Sequence, residues 1–528
     1  MSFKNGFSFG RKTKNESEPE KRRFSPKTVW SSNIGSFILT MIVLYFVSPK
    51  EVHDQLFNNI ILNGKYILPW FLLSSVVGWI YAKSNSRILS RRFILGSVSA
   101  ILMVFVLNVL TYGITNYITF KMFVDFERVG QMVPTDPKFV RYTGMQIAFK
   151  DINQAIKAAT EEVTMENTVP FVSKTGFGYV APITPDGFIS TFSQKNPGFV
   201  VFNDRLPDNP QASKAHRVIQ PFEIGQDMQV LDNLERQLIY SDFFASYDHP
   251  HYVVLDPNKP EHFTAVVSKI KYKWFMFPYW GGVVLVHDNG KMEDLSAQEA
   301  MKDPRLVGQW IFPQKLAKDY VKLENYKVGW GIFSEMVRVP GRLEIPKLPG
   351  ESQFPMLTHG ADSVNYHVIA TKAAGSGGGL YRMYYVNATT GQGMYYEYGE
   401  NETVYGPEAA LTRVTNEQSF NWFREDGDSK SGNMIPVEPV YIVLSDNKLY
   451  WKISVTNRKY EGVAATVVSP ASNPNDRTLF KAQNEFDAWL NGKAISTAAS
   501  CTGVPVERLH EVSDALSSAL EKLKALEK

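Results

Sequence analysis

The chain has 528 residues and a mass of 59.7 kDa, with 44% hydrophobic, 13% aromatic and 21% charged residues and a mean hydropathy of -0.19. That composition excludes a chain disordered throughout and a polytopic transporter, which would be far more apolar. One cysteine, Cys501, excludes an intrachain disulfide framework and any cysteine-based zinc or iron–sulfur site.

The formal net charge of +3 is unevenly spread, and the spread goes with three apolar stretches near the start. These run from Ile34 to Val47, from Tyr66 to Ala82 and from Phe93 to Phe120. A helix needs about 20 residues to cross a hydrocarbon core. Aromatic residues mark the ends of the stretches: Trp30 and Tyr45, Tyr66 and Trp79, Tyr112 and Tyr117. Residues 1–33 carry eight Lys and Arg, loop 49–65 carries two, and loop 83–92 carries four. By the positive-inside rule the two rich segments are cytoplasmic. The expectation is a multi-pass protein of a bacterial inner (plasma) membrane, N-terminus cytoplasmic, with a large extracytoplasmic domain after Phe120. Lys21, Arg22, Arg23, Arg87, Arg91 and Arg92 would face anionic lipid, at about 1 kcal/mol per cation. The lipid bilayer is thus an expected partner. Nucleic acid is not, since the basic tail lacks an aromatic platform and the remainder is net acidic. Asn108 and Asn116 could bond across helices, with Ser74 and Ser75 as partners, or face the helix ends.

Further along, four segments share a plan of two short strands and a turn: 179–204, 263–291, 366–392 and 449–470. Their runs VVF, VVLV, MYYV and ATVV each precede Asn, Asp, Gly or Pro. Helical patterns lie nearby, at 145–163, 228–240, 407–423 and in FKAQNEFDAWLNG. The expected fold class is three N-terminal transmembrane α-helices, then an α+β ectodomain of repeated small antiparallel sheets with packed helices. The expected divisions are a basic tail over 1–29, a membrane domain over 30–120, α+β regions over 121–350 and 351–500, and an amphipathic helix over 501–528.

The hairpin YRMYYVNATTGQGMYYEY, with its turn Asn387-Ala388-Thr389-Thr390-Gly391, resembles the PepSY hairpin. VLVHDNGKMEDL is a shortened version. The segment TTGQGMYYEYGENETVYGPEAAL is also similar to stretches in large, poorly characterised multi-pass proteins of bacteria and their phages. The resemblance implies a non-enzymatic envelope module and supplies no catalytic residue. In the last residues, Leu509, Val512, Leu516 and Leu523 form a heptad seam. One reading is a helix docked on its own domain; the other is a homo-oligomer joined through the seam.

Several short chemical motifs occur. Ser268-x-x-Lys271, Ser445-Asp446-Asn447 and Lys174-Thr175-Gly176 match penicillin-recognising enzymes only in wrong order and setting. His249 and His251, near Asp248, Asp256 and His262, lack a third metal ligand at a typical spacing. The run Gly375 to Gly379 has no following Lys-Ser/Thr and reads as a hairpin loop. Glu161 with Glu162, or Glu397 with Glu400, could pair, but sequence sets no separation. The reading is therefore no enzyme, no cofactor and no metal. The expected function is a membrane-anchored structural or interaction protein with an unidentified protein partner. The alternatives are a subunit of an envelope transport or secretion complex, or an extracytoplasmic hydrolase with an unrecognised site.

Overall fold

The computed structural model describes His53 and residues 112–493, apart from short breaks of which 206–213 and 348–355 are the longest. Four sheets follow one another along the chain, each with a four-stranded antiparallel meander at its centre, and the third also takes Phe126–Val129 in parallel on its outer strand Gly393–Glu397. Sheet I holds Val169–Ser173, Gly176–Pro185, Asn196–Asn203 and Ala215–Phe222. Sheet II holds His251–Val254, Phe263–Lys273, Phe277–Val286 and Met292–Leu295. Sheet III holds Met356–His359, Asn365–Ala373, Leu380–Asn387 and Gly393–Glu397. Sheet IV holds Met434–Val443, Leu449–Asn457, Ala465–Pro470 and Thr478–Phe480.

The middle strands are buried on both faces. All ten residues of Gly176–Pro185 are buried, as are the first eight of Phe263–Lys273. Such strands need cover on each side, and the neighbouring sheets supply most of it. Sheets I and II meet through Phe199 and Phe263, whose ring centroids lie 5.2 Å apart, and through the Gln220 amide, which brackets the Phe263 backbone at 2.7 and 2.8 Å. Sheets II and III share one apolar core that includes Val266, Val283, Val368 and Tyr384. That core continues into sheet IV through Tyr441, Trp451 and Ile453. Between sheets IV and I the ring closes indirectly: the helix Met145–Ala155 covers sheet I, the helix Gln483–Leu490 with Val140 and Tyr142 covers sheet IV, and the segment before blade I joins the two. Four meanders arranged in such a circle form a four-bladed β-propeller.

Closure is made by the segment that precedes blade I. The Thr135 amide donates to Val443 O at 2.9 Å and the Asp136 amide to His359 O at 3.0 Å, so this segment bridges the inner strands of blades III and IV. The amides of Tyr142 and Thr143 then donate to the Asp204 carboxylate of blade I at 2.5 and 2.7 Å. Tyr142 O in turn accepts from Lys452 Nζ and from Ser454 Oγ of blade IV. Within blade III, Asn387 Oδ1 accepts from the Thr389 and Thr390 amides, and Gly391 turns the chain at φ 77°. A Cβ at Gly391 would meet the Phe312 ring at 2.3 Å, so the turn needs glycine both for its φ and for its space.

Two expectations are corrected. Among the described residues no helix is long and apolar enough to cross a membrane. The first two apolar stretches and the third up to residue 111 lie outside the described residues, as do Lys21, Arg22, Arg23, Arg87, Arg91, Arg92 and Asn108. The end of the third stretch is a helix over 112–123 that packs on protein. Its Phe123 stacks on Tyr279 at 5.7 Å, Tyr117 meets Tyr326 at 6.3 Å, and Asn116 is half-buried. The three-span architecture is therefore withdrawn, and with it the multi-pass placement in a bacterial inner membrane. The α+β reading is corrected as well, because sheets, not helices, cover most of the sheet faces. The helices that accompany the blades run from four residues, at Ser190–Ser193, to eleven, at Met145–Ala155. Leu509, Val512, Leu516 and Leu523 lie outside the described residues.

The closure has a pH signature. Burial lowers the Lys452 ammonium to about 7, with Asp204 and Glu438 opposing and Arg141 and Arg205 adding to the fall. In the unfolded chain a lysine keeps its proton up to about 10.4. Between these values the unfolded state binds more protons, so stability rises with pH from about 7 towards 10. Lys214, also lowered by burial, contributes in the same direction. Between pH 7 and 9.5 the Lys452 part is on the order of 3 kcal/mol. Thermal melts should show Tm climbing over that range in the wild type and climbing much less in Lys452→Met. Parallel slopes would show that Lys452 keeps its ordinary titration.

Candidate functional site

The innermost strands depart from a plain meander at one height around the axis. In blade I, Gly176–Pro185 pairs with two inner segments, Glu161–Glu162 and Val169–Ser173, leaving a gap opposite Ala181 to Ile183. In blade II, Phe263–Lys273 pairs with Ser246–Tyr247 and His251–Val254, leaving a gap opposite Val267 and Ser268. In blade III, Asn365–Ala373 pairs with Leu343–Glu344 and Met356–His359, with a gap opposite Ile369 to Thr371. The inner strand of blade IV runs through, but bulges between Val437 and Val440, opposite Ile453. Proline helps to make two of these irregularities, Pro250 and Pro439, because it has no amide to give to a ladder.

The gaps open a cavity of about 210 Å³. Blade I lines it with Glu166, Thr168 and Val169, blade II with Asp248, His249, His251 and Ser268, and blade III with Met356 and Leu357. The link between blades II and III adds Trp310, Phe312 and Gln314. Blade IV acts through Arg141 and Met145, which also line the cavity. The bulge places Glu438 at φ 42°, a conformation uncommon for a non-glycine residue. Its Oε2 accepts from the Met145 amide at 2.9 Å and lies 3.6 Å from Arg141 Nη1. Arg141 also donates to the Tyr179 hydroxyl at 3.3 Å. Burial works against the Arg141 charge, but Tyr179, Glu438 and Asp204 hold its pKa above the ordinary arginine value. The guanidinium is thus a fixed cation, balanced by a buried carboxylate.

Two histidines nearby are neutral. Burial, with His367 adding, lowers His251 to about 3. Burial lowers His367 to about 4, with its bond to Phe312 O opposing. His367 Nε2 lies 2.9 Å from that carbonyl and must therefore carry the proton. The His251 ring lies 4.4 Å from Trp310 and is only 3% exposed. Among the described residues His251 Nε2 and Glu438 Oε1 have no hydrogen-bond partner. A buried imidazole nitrogen on a cavity wall, without a partner in the protein, is a group available to a ligand.

The short chemical motifs of the sequence are dispersed in the fold. Ser268 Oγ donates to Ile311 O at 2.7 Å, and Lys271 pairs with Asp242 at 3.2 Å. Asn447 Oδ1 accepts from the Met132 amide, and Lys174 and Thr175 lie outside the described residues. Glu161 pairs with Arg217, and Glu397 with Arg382. Among the described residues no group of three or more His, Cys, Asp and Glu is placed to hold a metal ion. His249 and His251 line the cavity as single polar groups. Arg141, Glu166, Glu438 and Trp310 carried no sequence signal, since each stands alone in its segment.

The fold and cavity define a class: a four-bladed propeller with a polar axial site. No family model matches the chain, and no curated protein matches it in sequence. Among solved structures, the endo-arabinase of Bacteroides thetaiotaomicron is similar at 10% identity over 60% of this chain and 79% of that one, with a TM-score of 0.19. That protein bears an enzyme's name, which runs against the expectation of no enzyme, and the expectation is withdrawn. At a TM-score of 0.19 the likeness assigns neither fold nor activity in its place.

Removing the Glu438 carboxylate leaves Arg141 buried and frees the Met145 amide. Glu438→Ala should therefore cost about 3–5 kcal/mol of stability, as for other broken buried pairs. The double variant with Arg141→Met should recover part of that loss in urea unfolding. A single-variant cost below about 1 kcal/mol would show that the pair is not held as described.

Proposed function

We propose that the axial cavity binds a small, uncharged, hydroxyl-rich molecule. The observation that carries this reading is the convergence on one cavity of polar groups from blades I and II, from the segment before blade I and from the link between blades II and III. Glu166, Asp248 and His251 offer acceptors, Arg141 offers donors, and Gln314 offers both. Met145, Trp310 and Phe312 supply apolar walls. Small-ligand sites combine such walls with a few placed polar groups. Charge narrows the class. The carboxylates disfavour an anion, and an ammonium ligand would bring no acceptor to the Arg141 guanidinium.

One observation favours a hydrolytic reading as well. Glu166 and Asp248 reach the cavity from different blades, and glycoside hydrolysis uses two carboxylates across a bond. In that case aryl glycosides should be cleaved by the wild type and not by Glu166→Gln or Asp248→Asn.

Binding is tested first by thermal shift with a panel of aldopentoses, aldohexoses, dicarboxylates and small amines. A neutral sugar at a hundredfold excess over its Kd should add about 2.7 kcal/mol, or about 3 °C in Tm for a chain of this size. Asp248→Asn should weaken that shift. Stabilisation by the dicarboxylates alone, or by no member of the panel, would contradict the reading.

A further inference from the structure

We infer that the ligand of this site is a chain of two or more linked units, held by a second compartment that adjoins the axial cavity. This rests on the axial cavity being the binding site. A second cavity of about 400 Å³ shares Asp248, His249 and Pro250 with the first. Those three residues are the interruption in the inner edge of blade II. The gap that opens the axis therefore also forms a wall common to the two spaces. At about 210 Å³ the axial cavity is smaller than the roughly 300–1,000 Å³ usual for ligand sites, and the two together fall within that range.

The second compartment combines apolar walls with a few charged groups carried on two helices. Glu235, in the first turn of the helix Leu234–Ser241, and Lys315, in the first turn of Gln314–Leu323, both line it. Behind the shared wall runs a buried chain of hydrogen bonds. The Tyr252 hydroxyl donates to Gln226 Oε1 at 2.7 Å, and Gln226 Nε2 donates to Asn167 Oδ1 at 3.0 Å. Asn167 stands between Glu166 and Thr168 of the axial cavity, and Gln226 lines the second one. The chain thus fixes the two walls relative to each other. Glu235 and Asp248 bring acceptors to this space and Lys315 brings donors, which suits the same hydroxyl-rich chemistry as the axial site. One unit would lie on the axis, and the next would cross Asp248–Pro250 towards Glu235 and Lys315.

The test is calorimetric titration of the full chain with two length series: D-xylose, xylobiose and xylotriose, and D-glucose, cellobiose and cellotriose. The disaccharide of at least one series should bind tenfold or more tightly than its monosaccharide. The exposed double variant Glu235→Ala with Lys315→Ala should lose that gain and leave monosaccharide affinity within twofold. A monosaccharide that binds with no gain from chain length, or a gain that survives the double variant, overturns the second compartment alone. If no probe binds the wild type, the reading of the axial cavity falls, and this inference falls with it.

Discussion

The structure depends on how a ring of four sheets is closed. A meander buried on both faces needs two covers, and in a ring every sheet finds them only if the last meets the first. In this protein the meeting is indirect. A strap over residues 134–145 lies between blades IV and I, and its backbone satisfies polar groups on both sides. Asp204 takes the Tyr142 and Thr143 amides, and Lys452 and Ser454 give to the Tyr142 carbonyl. Buried charges are costly unless they are paired and bonded. Asp204 and Lys452 therefore act only in the closed ring, which ties the seam to the fold as a whole.

The same strap prepares the site. It bridges the inner strands of blades III and IV with Thr135 and Asp136, then presents Arg141 and Met145 to the cavity. Glu438 fixes both from a bulge, at φ 42°. Unusual backbone of this kind persists where the surroundings determine it, and it is common beside sites. The inner-edge gaps of blades I to III face the same level. Ladder bonds given up there leave space and polar groups on the axis, and the middle strands behind remain intact.

Part of this was legible in the sequence. The segments 179–204, 263–291, 366–392 and 449–470 stand out because their middle strands are buried on both faces and so are rich in β-branched and aromatic residues. The inner and outer strands were not legible. Val169–Ser173 and His251–Val254 have five and four residues beside polar breaks, and Thr478–Phe480 has three. Helix ends also moved. The pattern at 228–240 becomes a helix only from Leu234, because Asn233 caps it by accepting from the Arg236 amide. Apolar run length near the start spoke of capacity to span a bilayer, and said nothing of the protein surface on which Tyr117 and Phe123 pack. The site was least legible of all. Arg141, Glu166, Asp248 and Glu438 come from four distant segments, and only the ring brings them together. The pair His249 and His251 drew notice as a metal motif, although Pro250 between them signals a broken inner strand.

Native-state hydrogen exchange tests the closure most directly, since it leaves the chain unaltered. The amides of Thr135, Asp136, Tyr142, Thr143 and Met145 all donate from the strap to blades I, III and IV. If the strap closes the ring, these amides should exchange only in the slowest class, together with the middle strands Gly176–Pro185 and Leu449–Asn457. Fast exchange of the strap while those strands stay protected would contradict the account, because the four sheets would then hold together without it.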